Sequence, residues 1–118
     1  MNTLHPSVQK LIDSADEVIY KLTKLDGTNN EDYPIGYWTI GYGLFLEKDA
    51  PCFMSRIANS SYMGTRFGYF RTSKVLSIVR GPEFDVITTA NSSYKLEQLN
   101  SVMSVLSKKH RAEGVKED

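Results

Sequence analysis

The chain contains little cysteine and histidine and no long apolar run: there is one cysteine, Cys52, and there are two histidines among 118 residues. A single cysteine cannot form an internal disulfide. No stretch approaches the roughly 20 apolar residues that a membrane-spanning helix needs. The first ten residues lack the basic start and the apolar stretch of a secretion signal. These absences predict a cytoplasmic protein that is not held in a membrane.

The chain also has little of what metal centres and nucleophilic enzymes use. His5, His110 and Cys52 do not have the spacing of metal ligands. A Cys–His nucleophile would require Cys52 to meet a histidine near one end of the chain. No glycine-rich phosphate loop precedes a helix, so the common nucleotide-binding fingerprints are absent. We therefore expect a protein that is not an enzyme and has neither metal nor cofactor.

Charge is distributed unevenly along the chain, although the formal net charge is zero. The length predicts a single domain over 1–118. Residues 1–49 carry eight acidic and four basic side chains, whereas residues 50–82 carry five basic and no acidic ones. A basic segment of this kind is typical of an anion-binding surface, but its side chains can equally meet acidic helix faces or water.

Hydrophobic periodicity predicts a helix, a sheet and a second helix. Apolar residues recur every three or four positions in residues 6–24 and again in residues 96–111. Strands are predicted between them, at 36–46, 62–71, 73–80 and 83–89, whereas 47–61 has no clear pattern. We expect an α+β fold, in which an N-terminal and a C-terminal helix cover one face of an antiparallel sheet of four or more strands.

The predicted strand at 36–46 has two different faces. Period-two alternation assigns one face to Trp38, Ile40, Tyr42, Leu44 and Leu46, which are expected to be buried. Gly41 and Gly43 lie on the opposite face, where glycine indicates a bend or the close approach of another group.

Residues 36–43, GYWTIGYG, resemble the active-site hairpin of phage lysozymes. The resemblance implies glycoside hydrolysis by two carboxyl groups, for which Glu17 or Asp13 would act with Asp26. Three features argue against that function. The Glu-Gly step of the family is missing after the first helix, Leu44 replaces the histidine after the hairpin, and one helix is too few for the second lobe of the cleft. We therefore interpret the segment as a buried aromatic strand.

Aromatic and arginine residues are interleaved between positions 53 and 71. The set comprises Phe53, Tyr62, Phe67, Tyr69 and Phe70 with Arg56, Arg66 and Arg71. Aromatic rings and guanidinium groups are what stacked bases and phosphates require. A β-rich core with one solvated face has the same composition, so both interpretations remain open.

Residues 71–96 resemble a hairpin pattern of small phage and prophage proteins, T-S-x-V-x-x-I, a turn, and V-x-T-x-N-S-x-Y-x-L. The matching residues are Thr72, Ser73, Val75, Ile78, Val86 (or Ile87), Thr89, Asn91, Ser92, Tyr94 and Leu96, with Gly81-Pro82 as the turn. Val75, Ile78 and Val86 are expected to supply the buried face. Asn91 and Ser92 either form a turn or bulge, or present polar groups to a ligand.

The α+β pattern with its aromatic, arginine and asparagine residues is similar to the anti-Thoeris signal sponges of phages. These are compact α+β oligomers that sequester cyclic ADP-ribose-type immune signals. The resemblance implies aromatic stacking, arginines on phosphates and an asparagine on the ribose or base. Phe84, Asn91, Arg66 and Arg111 are the candidates for those roles. The full predicted ligand site also includes Arg56, Arg71 and Ser92.

The sequence leads us to expect a non-catalytic phage-type protein in the host cytoplasm. It would sequester a nucleotide-like anionic immune signal, as a homo-oligomer, to counter host defence. One alternative is an inhibitor or adaptor that acts on a host protein or on a CRISPR nuclease or polymerase. This is suggested by the aromatic content and by the predicted C-terminal helix that ends in 108–111. A third possibility is single-stranded nucleic-acid binding.

Overall fold

The computed structural model describes residues 4–27, 33–101, 103, 105 and 106. Its elements in chain order are α1 (Pro6–Ser14), β1 (Tyr20–Gly27), β2 (Trp38–Phe45), β3 (Pro51–Asn59), β4 (Gly68–Val79), β5 (Asp85–Thr89) and β6 (Ser92–Gln98). Each strand pairs antiparallel with the next, and β1 also pairs with β6. The six strands therefore form a closed barrel.

This architecture contradicts the predicted α+β fold with a helix at each end. Residues 96–98 of the predicted C-terminal helix belong to β6, and of the described residues beyond β6 only Met103, Val105 and Leu106 are helical. Residues 102, 104 and 107–118 of the chain lie outside the described residues. The prediction was wrong because β6 gains backbone partners on both sides, from β5 and β1, and this pairing overrides a helical spacing of apolar residues.

The N-terminal helix is shorter than the predicted 6–24. It begins at Pro6, whose missing N–H needs no partner in the first turn, and ends where Ala15 adopts an extended conformation. Tyr20 and Leu22 instead belong to β1, where Leu22 lies opposite Thr39 on one side and Leu96 on the other. The apolar residues of 18–22 fit both a helical and a strand periodicity. The segment from Tyr20 forms a strand because it pairs with both β2 and β6.

Strand β2 turns its two halves to different environments. Trp38, Ile40 and Tyr42 belong to an apolar cluster that lies between α1 and the outer wall of the barrel. Leu44 and Leu46 pack against the barrel interior instead, so the prediction that all five residues share one face was wrong. Gly43 causes the switch: its φ of +66° is in the left-handed region, and the β2–β3 register shifts between Tyr42 and Phe45.

Two apolar clusters stabilise the fold. The barrel interior contains Leu22, Tyr37, Cys52, Met54, Phe70, Val75, Ile87, Tyr94 and Leu96. The second cluster lies between α1 and the outer wall of β2 and β3, and contains Val8, Ile12, Ile19, Ile40, Ile57 and Ala58. The helix thus covers one side of the barrel wall and leaves the rest of the outer surface of β3 and β4 uncovered.

The middle of the chain is divided into strands differently from the prediction. The unassigned segment 47–61 contains β3, and the two predicted strands 62–71 and 73–80 form the single strand β4, which pairs first with β3 and then with β5. Ile87, rather than Val86, faces the interior. The register places Val86 beside the exposed Val79 on the outer wall.

The antiparallel order defines two ends of the barrel. The β1–β2, β3–β4 and β5–β6 connections lie at one end, which we name the upper end. The α1–β1, β2–β3 and β4–β5 connections lie at the lower end, where Gly81-Pro82 forms part of the β4–β5 turn, as predicted. In the part of the chain that the structure describes, no helix has the length and apolar character required to cross a membrane.

Candidate ligand-binding face

An exposed aromatic surface lies on the outer wall of β2, β3 and β4. Phe45 pairs with Phe53, and Phe53 pairs with Arg71, so these side chains share one face of the sheet. Tyr69 lies two residues before Arg71 on the same face, and its ring stacks on Phe53 with centroids 5.4 Å apart and planes 26° apart. We name Phe45, Phe53, Tyr69 and Arg71 the aromatic face.

The alternation of β4 explains why these groups point outward. Phe70 and Thr72 are buried, whereas the intervening Tyr69 and Arg71 are exposed. Tyr69 keeps 70% of its surface accessible. Contiguous exposed aromatic residues are uncommon on a monomer and indicate an interaction site.

Two cations lie along one edge of the aromatic face. Arg71 and Lys74 are exposed, and neither forms an ion pair with any residue that the structure describes. Arg80, by contrast, is paired with Asp85 at 2.8 Å. An unpaired guanidinium beside exposed rings is suited to a ligand with both a phosphate and a base.

Arg56 has a structural role in the β3–β4 connection. Its Nε donates to the Arg66 carbonyl at 3.0 Å, and its Nη2 donates to the Phe67 carbonyl at 3.2 Å. Gly68 leaves room for this contact, because a Cβ there would lie 2.6 Å from Nη2. The guanidinium that was predicted to hold a phosphate is thus engaged in positioning the loop.

Arg66 lies in the same β3–β4 loop, at the upper end of the barrel. It is exposed, and its guanidinium carbon lies 5.2 Å from the centre of the Tyr62 ring. The backbone N–H of Arg66 donates to the Ile57 carbonyl at 2.7 Å, which holds the loop against β3. Arg66 and Tyr62 therefore form a cation–π pair within the loop.

Asn91 lies in the turn between β5 and β6, and Ser92 begins β6. The Thr89 hydroxyl oxygen accepts from the N–H of Asn91 at 3.3 Å and of Ser92 at 3.1 Å, and this hydroxyl donates to the Ser92 carbonyl. The Asn91 amide donates to the Ser73 hydroxyl. These contacts are of the kind expected for a turn, one of the two interpretations left open by the sequence.

Phe84 lies at the opposite end of the barrel from Asn91. It belongs to the β4–β5 turn, where Lys95 Nζ lies 5.3 Å from the centre of its ring. Together with Tyr20 and Leu44 it lines a cavity of about 290 Å³ at the lower mouth of the barrel. The structure therefore does not bring Phe84 and Asn91 together within one chain. Arg111 lies outside the described residues.

Aromatic side chains and a lysine fill the upper part of the barrel interior. Tyr37, Phe70 and Tyr94 are buried there, and Lys24 Nζ donates to the Tyr33 carbonyl at 2.7 Å. Burial raises the pKa of Tyr37 and of Tyr94, and the phenol of Tyr37 also interacts with Asn59. Both phenols are protonated at neutral pH and act as neutral hydrogen-bonding groups.

Cys52 is fully buried in the barrel wall facing this interior. Burial raises the pKa of its thiol to about 11. The thiol is therefore protonated at neutral pH, and only the thiolate is nucleophilic. No group of three or more His, Cys, Asp or Glu side chains converges to hold a metal ion among the residues that the structure describes.

Comparisons with known protein families, with characterised proteins and with solved structures found no match.

Sequence reasoning selected Arg71 but missed two groups beside it, Phe45 and Lys74. Phe45 points outward because Gly43 reverses the alternation of β2, and simple period two assigned it to the other face. Lys74 lies opposite Pro51 at the end of the β3–β4 pairing. The basic composition of 50–82 was the one signal for Lys74, and it did not distinguish Lys74 from Arg80.

Proposed function

We propose that the protein is a non-catalytic binding protein that holds a nucleotide-like anionic ligand on the aromatic face. The observation that carries the proposal is the exposed Phe53–Tyr69 stack beside Arg71, which has no ion-pair partner among the described residues. A free ring face stacks on any base, and such contacts contribute about 1–3 kcal/mol per base. The planar guanidinium binds phosphate oxygens in a bidentate manner.

The proposal retains the setting that the sequence predicts: a host cytoplasm in which sequestering an immune signal counters host defence. The buried, protonated Cys52 is compatible with a reducing compartment. Assembly as a homo-oligomer remains a prediction, as does the cyclic ADP-ribose type of signal. In place of the predicted Phe84–Asn91 pair, the proposal assigns the ligand contacts to Phe53, Tyr69 and Arg71.

Calorimetric titration with ADP-ribose derivatives, cyclic nucleotides and short oligonucleotides tests the proposal. Tyr69→Ala removes a ring that is mostly exposed, so it should leave the unfolding midpoint unchanged and weaken binding by about 1–3 kcal/mol. Arg71→Gln should weaken binding by about 1.5–3 kcal/mol because a charged hydrogen bond is lost.

Arg66→Gln is the matched control, because it removes the same charge from an exposed loop position outside the aromatic face. It should bind as the unchanged protein does. The proposal fails if none of these ligands releases or absorbs heat, or if Arg66→Gln and Arg71→Gln weaken binding equally.

A second candidate function, binding to a host protein, is favoured by an apolar groove at the upper end. The groove has a volume of about 530 Å³ and runs between the start of α1 and the β3–β4 loop, with Leu4, Trp38, Tyr62 and Met63 among its lining residues. Met63 is 83% exposed. For this function, Met63→Asp should abolish capture of a stoichiometric host protein, whereas Tyr69→Ala should not affect it.

A further inference from the structure

We infer that the aromatic face binds single-stranded nucleic acid several nucleotides long, in preference to a free mononucleotide or a duplex. This inference rests on the proposed function and specifies the class of ligand. It follows from the length of the face, from its openness and from the position of its charges.

The outward side chains form a strip along β4. Phe67 precedes the strand, Tyr69 and Arg71 follow on its outer face, and Lys74 lies near the end of the pairing with β3. With a rise of about 3.3 Å per residue, Phe67 and Lys74 are roughly 20 Å apart along the strand. One nucleotide has a single base to stack, whereas the strip offers successive rings followed by two cations.

The strip is open to solvent on its outer side. Phe67 and Tyr69 retain 65% and 70% of their accessible surface, and they project from the wall of a barrel. Small-molecule sites usually enclose about 70–90% of the ligand surface. A base on one such ring has contacts on one side only, so a chain that holds several bases in succession should bind more tightly than a single nucleotide.

Base stacking on the strip also distinguishes single strands from duplexes. Bases within a duplex already stack on their neighbours, and they would have to unpair before they could lie on Tyr69 or Phe53. Unpaired bases present their ring faces without this cost, and such stacking tolerates any sequence. We therefore expect a preference for single strands with little dependence on base identity.

The charges set an orientation and a modest salt dependence. Arg71 and Lys74 provide positive charge at one end. At the other end Asp16 and Glu17, which line the groove that contains Phe67, offset the charges of Arg56 and Arg66. Phosphates should thus lie near Arg71 and Lys74, with a base near Phe67. Two phosphate contacts on a single strand predict that log K falls with log salt concentration with a slope of about −1.4.

Fluorescence anisotropy with labelled oligothymidylates of two, four and eight nucleotides, competed by thymidine monophosphate and by a hairpin duplex, tests the inference. Affinity should rise at least tenfold from two to four nucleotides. The octamer should bind at least 100-fold more tightly than the mononucleotide or the duplex. An oligouridylate series shows whether RNA and DNA are both accepted.

Two variants test whether the dependence of affinity on oligonucleotide length arises from the strip. Phe67→Ala should weaken the octamer at least fivefold but leave the dimer nearly unchanged, because the dimer does not span the whole strip. Arg71→Gln should change the salt slope by about 0.7, which corresponds to one lost phosphate contact. The matched control Arg66→Gln should leave the slope unchanged.

The outcomes separate the inference from the proposed function. Equal affinity for the mononucleotide and the octamer, or for the octamer and the duplex, overturns the inference and leaves the proposed function standing. If neither the oligonucleotides nor the ADP-ribose derivatives and cyclic nucleotides bind, both are overturned.

Discussion

At the scale of single residues, Gly41 and Gly43 shape β2 for different physical reasons. The sequence predicted that both glycines mark a bend or a close approach. A Cβ on Gly41 would lie 2.1 Å from the Ser55 carbonyl oxygen, so the group that comes close is the neighbouring strand β3. Gly43 has open space around it, but its φ of +66° is unfavourable for other residues.

These two causes predict different costs for alanine. Gly41→Ala should lower the free energy of unfolding by about 3 kcal/mol, because β2 and β3 would have to separate. Gly43→Ala should cost about 1–2 kcal/mol, since only the left-handed conformation is penalised. Urea unfolding of the two variants measures the difference. Equal costs, or a smaller cost at Gly41, would contradict the close contact with Ser55.

Single residues also explain part of what sequence reasoning missed in the candidate site. The interleaved pattern at 53–71 identified Tyr69 and Arg71, which are exposed, but also Phe70, which is buried in the barrel. Alternation along β4 separates them once the strand is known. Arg56 could not be separated from the other arginines, because its carbonyl partners belong to a loop about ten residues away.

At the scale of elements, α1 is a short helix that depends on the barrel for stability. Its nine residues are too few to form a stable helix in isolation. The side chains of Val8 and Ile12 are buried against the wall of β2 and β3, whereas Leu11 is 36% exposed. Docking of one apolar face therefore holds this helix in place.

This arrangement predicts a large difference between two neighbouring substitutions. Ile12→Ala should destabilise the docked helix by about 3 kcal/mol, because a buried side chain leaves a cavity. Leu11→Ala, the matched control on the same helix, should cost less than about 1 kcal/mol, since a surface position of this kind contributes little. Fluorescence of Trp38, which lies beneath α1, reports the loss of docking during urea unfolding. Similar costs for both variants would mean that α1 docks through another face.

The elements predicted best were those whose apolar residues fit a strand periodicity but not a helical one. Strands β2 and β5 fall within the predicted 36–46 and 83–89. Residues 20–24 of β1 and 96–98 of β6 were predicted as helix, because the apolar residues there also fit a helical spacing. Their partners decide between the two periods: Tyr20 pairs with Gln98, and residues this far apart in the chain have no local signal of their pairing.

At the scale of the whole molecule, closure of the barrel creates an interior from which water is largely excluded. Burial there keeps the thiol of Cys52 and the phenols of Tyr37 and Tyr94 protonated. Burial raises the pKa of Cys52 to about 11 and also raises the pKa of Tyr37 and of Tyr94. In the unfolded chain the thiol loses its proton at a pKa of about 8.5–9. Between these values the unfolded chain binds fewer protons than the folded protein, so stability falls as pH rises.

The stability of the barrel should therefore be constant from neutral pH to about pH 8 and then decrease. The thiol contributes a loss of about 2–3 kcal/mol by pH 11, and the two tyrosines add to it above about pH 10. Urea unfolding at intervals between pH 7 and pH 10 measures the slope. Cys52→Ala should flatten this slope, whatever its effect on the absolute stability. A slope that is the same in both proteins would show that the thiol is not the titrating group.

The sequence by itself determined the period-two strands β2 and β5, the start of α1 at Pro6, the turn at Gly81-Pro82 and the aromatic, basic character of 53–71. These features depend on residues close together in the chain. Only the tertiary structure decided that β1 and β6 are strands that close a barrel, that Gly43 turns Phe45 outward, and that Arg56 is engaged while Arg71 is exposed. Each of these depends on hydrogen bonds or packing between distant segments, whose partners are not specified by local periodicity.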